Sequence, residues 1–210
     1  MTAYPLDWPT HTGIAGARIR RHKASTSSTS PHSGVQQIYE LQADYLEFDL
    51  SFPVMRREMA DIWESVFWSL DGLVGTLLVP PLDGEPTGSA RAEPGTPQVA
   101  ANTAARSKTL PVKTGLSGNR LAWLKRGNWL SLGAGATRRL HRIVDFDVDL
   151  VGGNATMNIR PALREAVAEN ATIDVATPSG RFRLASPVTE VDIDKALHRR
   201  LGTIGFREDL

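Results

Sequence analysis

Between Val35 and Phe52 apolar and polar positions alternate. Ile38, Glu40 and Gln42 fall on one side at period two, with Tyr39, Leu41 and Ala43 on the other. Tyr45, Glu47 and Asp49 then alternate with Leu46, Phe48, Leu50 and Phe52, the pattern of a half-buried strand ending at Pro53. From Arg56 to Leu70 the period changes. Met59, Ile62, Trp63, Val66, Phe67 and Leu70 recur at spacings of three and four, which predicts an amphipathic helix with Arg56, Arg57, Asp61 and Glu64 on its wet side. Asp71-Gly72 stops it, because Gly accepts the left-handed cap conformation. Gly75 to Val79 reads as a short buried strand closed by Pro80-Pro81. The expected core is therefore Phe48, Leu50, Ile62, Trp63, Val66, Phe67 and Leu70, and Trp68 falls off the helix stripe.

The remainder is punctuated by turn residues. Residues 1–34 are rich in Ser, Thr, Pro, Gly and His, and Ala24 to Ser33 has almost no apolar side chain, so this segment is expected to be a long loop or arm. Residues 82–97 read as a Gly/Pro-rich loop. Short strands are expected at Gln98 to Ala101, Thr109 to Lys113, Trp129 to Leu132, Arg139 to Asp149 and Asn154 to Ile159. Further strands follow at Thr172 to Val175, Arg181 to Leu184 and Val188 to Ile193, and a helical turn or two is expected over Pro161 to Asn170. Gly127-Asn128 and Gly152-Gly153 mark turns between them. Many short strands and one principal helix predict a mainly β protein of small barrels or sandwiches. No repeat of fixed period is visible.

Composition narrows the function classes. The chain has 210 residues, enough for one domain or two small ones, and 41% hydrophobic residues support a real core. Lys+Arg is 24 against Asp+Glu 23, a net charge of +1 that exerts no long-range pull on nucleic acid or an acidic membrane. With no Cys there are no disulfides and no thiolate metal ligands. The first residues lack a basic stretch followed by an apolar run, so no secretory signal is expected. The apolar stretch near Leu73 to Val79 is too short to span a bilayer.

Candidate chemistry is sparse. His11, His22, His32, His141 and His198 have no metal partner at ligand spacing. Asp145, Asp147 and Asp149 resemble the start of a calcium loop, yet Leu150 stands where the sharp turn needs Gly and Thr156 where a bidentate acid belongs. At period two the three carboxylates simply solvate one strand face. Gly133-Ala-Gly135 lacks the Lys and Ser/Thr of a phosphate loop, and no nucleophile elbow occurs. Basic residues cluster at Arg18, Arg20, Arg21, His22 and Lys23 and again at Arg138, Arg139, His141 and Arg142, as a subunit-contact or solvated surface would. Asn154-Ala-Thr156 and Asn170-Ala-Thr172 match glycosylation sequons by coincidence in such a chain. Trp8, Trp123 and Trp129 lie outside the helix and invite contact roles. No catalytic, cofactor-binding or metal site is expected, and the chain is not expected to be an enzyme.

Larger runs carry a resemblance. EFDLSFPVMRREMADIWESVFWSLDGLVGTLLV, then LKRGNWLSLG, LHRIVDFDVDLVGGNATMNIRPALREAV and ATPSGRFRLASP, and finally GTIGFREDL resemble the distal tail protein of long non-contractile-tailed bacteriophages. The resemblance spans most of 35–210. It implies a split β-barrel with a flanking helix from 1–80 and 177–210, and an inserted small barrel of the oligonucleotide/oligosaccharide-binding type at 81–176. It also implies a hexameric ring of the virion tail tip, made in the host cytoplasm. Its partners would be sister copies, the tail tube, the tail-tip hub and the tape measure protein, with DNA only passing through the lumen and no membrane insertion. Trp8, Arg138 and Arg139 are the expected subunit contacts. An inserted barrel of this type would also suit a carbohydrate-binding module, with Trp123 and Trp129 stacking on sugar. A tail tube or tail-completion subunit is a close relative of the first reading.

Overall fold

The computed structural model describes residues 3–9, 13–82, 97–113, 126–148, 154–187, 189–194 and 198–209. Trp123, Asp149 and the Gly152-Gly153 turn lie outside the described residues. The chain is mainly β with one α-helix among the described residues. In order, it forms β1 (Gly16–Thr29), β2 (Gln36–Ser51), α1 (Arg57–Ser69), β3 (Leu77–Val79), β4 (Gln98–Val99), β5 (Thr109–Lys113) and β6 (Trp129–Leu132). It continues with β7 (Arg139–Val148), β8 (Asn154–Arg160), β9 (Gly180–Leu184), β10 (Asp192–Ile193), β11 (Arg199–Arg200) and β12 (Thr203–Glu208). One five-stranded sheet has the order β1-β2-β12-β9-β3 and a second the order β4-β5-β8-β7-β6, while β10 and β11 pair by themselves. The chain leaves the first sheet after β3, builds the second, and returns at β9.

The alternation in β2 sorts its side chains. Leu46, Phe48 and Leu50 are buried and join Phe182 and Leu184 of β9, Ile204 and Phe206 of β12, and Leu77 and Val79 of β3. Helix α1 covers this face. Ala60, Trp63 and Phe67 are buried, and Leu70, its C-terminal cap, is buried too. Ile62 and Val66 are only half-buried, at the flanks of the stripe. The Trp63 ring stands edge-on to Phe52 at 4.9 Å and to Trp8 at 5.2 Å, and Phe48 meets Phe182 edge-on at 4.9 Å. Such pairs add to plain area burial. Asp71 and Gly72 both take positive φ, and the Gly75 N–H donates to the Leu70 carbonyl at 2.7 Å to finish the helix end.

The second sheet has its own core of Val99, Leu110, Val112, Leu130, Leu132, Ile143, Ala155, Met157, Ile159, Leu163, Ile173 and Val175. Trp129 of β6 and Leu140 of β7 instead bury into the first core. Gly180 makes that approach possible, since a Cβ there would stand 2.7 Å from the Leu140 Cβ.

Two expectations are corrected. Gly16 to Thr29 is a long strand rather than loop, because Ser25 to Thr29 pair in register with Glu40 to Gln36 despite the missing apolar side chains. Pro161 to Asn170 forms no helix. Its backbone is drawn into tertiary pairs instead: Leu163 N–H to Ser107 O at 2.9 Å, Arg106 N–H to Leu163 O at 2.7 Å, and a Thr103–Val167 bridge.

Candidate interaction surface

The most exposed ordered element is the outer half of the β1–β2 hairpin. Strand β12 pairs with β2 only along Glu47 to Ser51. Beyond Asp44 the two strands of the hairpin have no third strand beside them. Their turn is closed by Ser30 N–H to Val35 O and Gly34 N–H to Ser30 O, both 2.9 Å, with Gly34 at a φ of 68°. On this arm Val35, Ile38, Tyr39 and Leu41 are all exposed, Ile38 by 67% and Tyr39 by 53%. Ile38 and Tyr39 are neighbours in a strand, so they point to opposite faces. The arm is therefore apolar on both sides.

Its base is electrostatically stapled. Arg21 grips Asp44 through two hydrogen bonds of 2.8 and 2.7 Å. Arg20 pairs with Asp49 at 2.7 Å, and His22 meets Glu47 at 2.6 Å while stacking on Tyr45. Glu40 accepts from Lys108 of the second sheet and from Lys23, each at 2.6 Å. The hydrogen bonds from Lys108 and Lys23 hold the Glu40 carboxyl down to about 2. This is where the arm meets the second sheet.

The opposite edge of the first sheet is β3. It is partly covered by the segment around Leu6, whose N–H donates to Thr76 O at 2.8 Å and whose carbonyl accepts from Leu78 N–H at 2.9 Å. Beside it runs an open groove of about 640 Å³ walled by Trp8, Leu78, Pro80, Pro81, Leu82 and Pro178, with Asp7 and Arg138 also in its lining. Elsewhere on the surface, Leu73 and Val74 of the loop entering β3 are exposed, as is Trp68 near the end of α1, by 78%.

Between the sheets lies a seam of charge. Arg181 and Arg183 both pair with Asp209, and Arg139 donates to the Asp209 carbonyl. Arg164 reaches Glu208 and the Asp44 carbonyl, and the Leu46 N–H donates to Glu208 at 3.0 Å. Burial pushes the Glu208 carboxyl up, against the pull of Arg164 and the Leu46 N–H. Buried His141 holds its Nδ1 2.9 Å from the Pro161 carbonyl, and burial lowers its pKa to about 4. Buried charges at such a seam favour one arrangement because any shift strands a partner.

The expected contact residues sit differently from the sequence reading. Trp8 packs edge-on against Trp63 and also walls the groove. Arg138 is held by Asp174 and the Thr177 carbonyl, and Arg139 belongs to the seam. Trp129 is only 3% exposed and lies under the Arg142 guanidinium, so the expectation that it stacks on sugar is corrected. Packing against the first core took its face. Asp145 pairs with Arg126 at 2.6 Å, and among the described residues no group of three acidic or imidazole side chains converges on a metal position. The arm residues Val35, Ile38, Tyr39 and Leu41 were not singled out from the sequence, although apolar residues on both sides of the alternation carried the signal. Glu208 and Asp209 had none, because their partners lie far away in the chain. No protein-family model matches the chain, and no curated protein matches its sequence.

Proposed function

We propose that the chain is a structural subunit of a bacteriophage tail tip, six copies of which close into a ring joining the tail tube to the tip hub around a channel for DNA. In this reading the first sheet with α1 is a split β-barrel, and the second sheet is an inserted small barrel of the oligonucleotide/oligosaccharide-binding type. The observation that carries it is the arm, a projecting ribbon with apolar side chains bare on both faces. Bare apolar surface of this kind marks protein contact. A net charge of +1 on the whole chain accords with a channel for DNA, since a strongly basic subunit would hold the phosphates. The tail tube, the hub and the tape measure protein are the proposed neighbours, in the virion.

Native mass spectrometry of the purified chain, alone and with its hub, tests the reading. A six-copy species with ring-shaped particles by electron microscopy is expected. A chain that stays single in both mixtures overturns it.

A further inference from the structure

We infer that the arm of one copy seats on the opposite sheet edge of the next, in the groove walled by Trp8, Leu78, Pro80, Pro81 and Pro178. The inference rests on the ring reading and names the surface that closes the ring. In the order β1-β2-β12-β9-β3 the arm leaves from one edge of the sheet, and the groove lies beside the other. A head-to-tail contact joins two different surfaces of the same chain, so a knob at one edge and a socket at the opposite edge are the geometry it requires.

Chemistry matches at both ends. From Ala24 to Tyr39 the arm carries no Lys, Arg, Asp or Glu, and His32 is its one titratable imidazole. It can be desolvated without stranding a charge. Arg138, the cation at the groove, is already neutralised by Asp174. A groove of about 640 Å³ takes a few apolar side chains rather than a whole strand. The outer hairpin has five cross-strand pairs and no third strand, a ribbon that is marginal by itself.

The chain has no Cys, so an introduced thiol is unique. Two differently tagged chains, one with Ile38→Cys and one with Ser179→Cys at the groove, are co-assembled and treated with a short bis-maleimide. A mixed-tag cross-link is expected, with none between Ile38→Cys and the exposed control Asp192→Cys. In a second experiment, Ile38→Asp is expected to keep the circular dichroism spectrum of the folded wild type and shift the assembled mass to the single chain. Rings without the mixed link overturn the docking and leave the ring reading standing. Equal linking to Asp192→Cys also overturns it. A specific link in a species that is not six-fold keeps the docking and removes the hexamer. Single chains without any link remove both.

Discussion

The inner and outer halves of one hairpin are built from the same two strands and obey different physics. From Gly16 to Lys23, eight pairs with β2 run beside buried Leu46, Phe48 and Leu50, with β12 backing β2 from Glu47 to Ser51, and Arg20, Arg21 and His22 pin the strand to acidic partners. From Ser25 to Thr29, five more pairs have neither a third strand nor a core. Backbone pairing resumes beyond a register shift between Lys23 and Ser25, while the stabilisation behind it stops. Strand structure therefore says little about local stability. Burial decides it, and the unburied half is free to serve as a contact.

Four measurements break or sharpen this contrast. Phe48→Ala, at a fully buried position of the inner half, should cost about 3–5 kcal/mol in urea unfolding, whereas Ile38→Ala in the outer half should change the single chain by less than about 0.5 kcal/mol. Equal losses would mean that the arm packs on its own body. Acid comes next. Below the ordinary histidine pKa the unfolded chain binds a proton that buried His141 refuses down to about 4, so stability falls across that interval by about 3 kcal/mol. Glu208, raised by burial, acts in the opposite sense, so the readout is the difference between wild type and His141→Asn. Parallel pH profiles of the two proteins would refute a neutral buried imidazole. Gly180→Ala, which sets a Cβ against Leu140, should cost about 1–3 kcal/mol and loosen the seam between the sheets. A wild-type melting curve would show that the seam can give. Smallest is Glu40→Gln, which removes the carboxylate that Lys108 and Lys23 share. A carboxyl lowered in the folded state supports the fold above the ordinary carboxylate range, and that support is lost as pH falls toward about 2. Hydrogen exchange at the arm base should accelerate in the variant at neutral pH and converge with wild type in acid. Identical exchange at neutral pH would remove Glu40 as the tether.

Much of the fold is legible in the pattern of side chains along the chain. Helix α1 lies within one residue of its periodic stripe, and its buried Trp63 and Phe67 are stripe residues. Strand β2 keeps its alternation wherever one face meets a core, at Leu46, Phe48 and Leu50. Strands β5, β6, β8 and β9 fall where short runs between turn residues placed them. The surface is harder to see. Ile38 and Tyr39 look like ordinary strand residues until β12 is found to stop at Glu47. Trp129 looks like a free ring until Gly180 lets the sheets close.

Periodicity is local, so the sequence alone determined the mainly β character, helix α1 and most of the first core. Contacts between distant segments set the rest. These are the strand conformation of a Ser/Thr-rich stretch, the irregular path of Pro161 to Asn170, the Glu208–Asp209 seam and the placement of the arm and groove at opposite edges. None of these follows from neighbours in the chain, because each depends on which backbone groups and charges find partners only after the sheets are assembled.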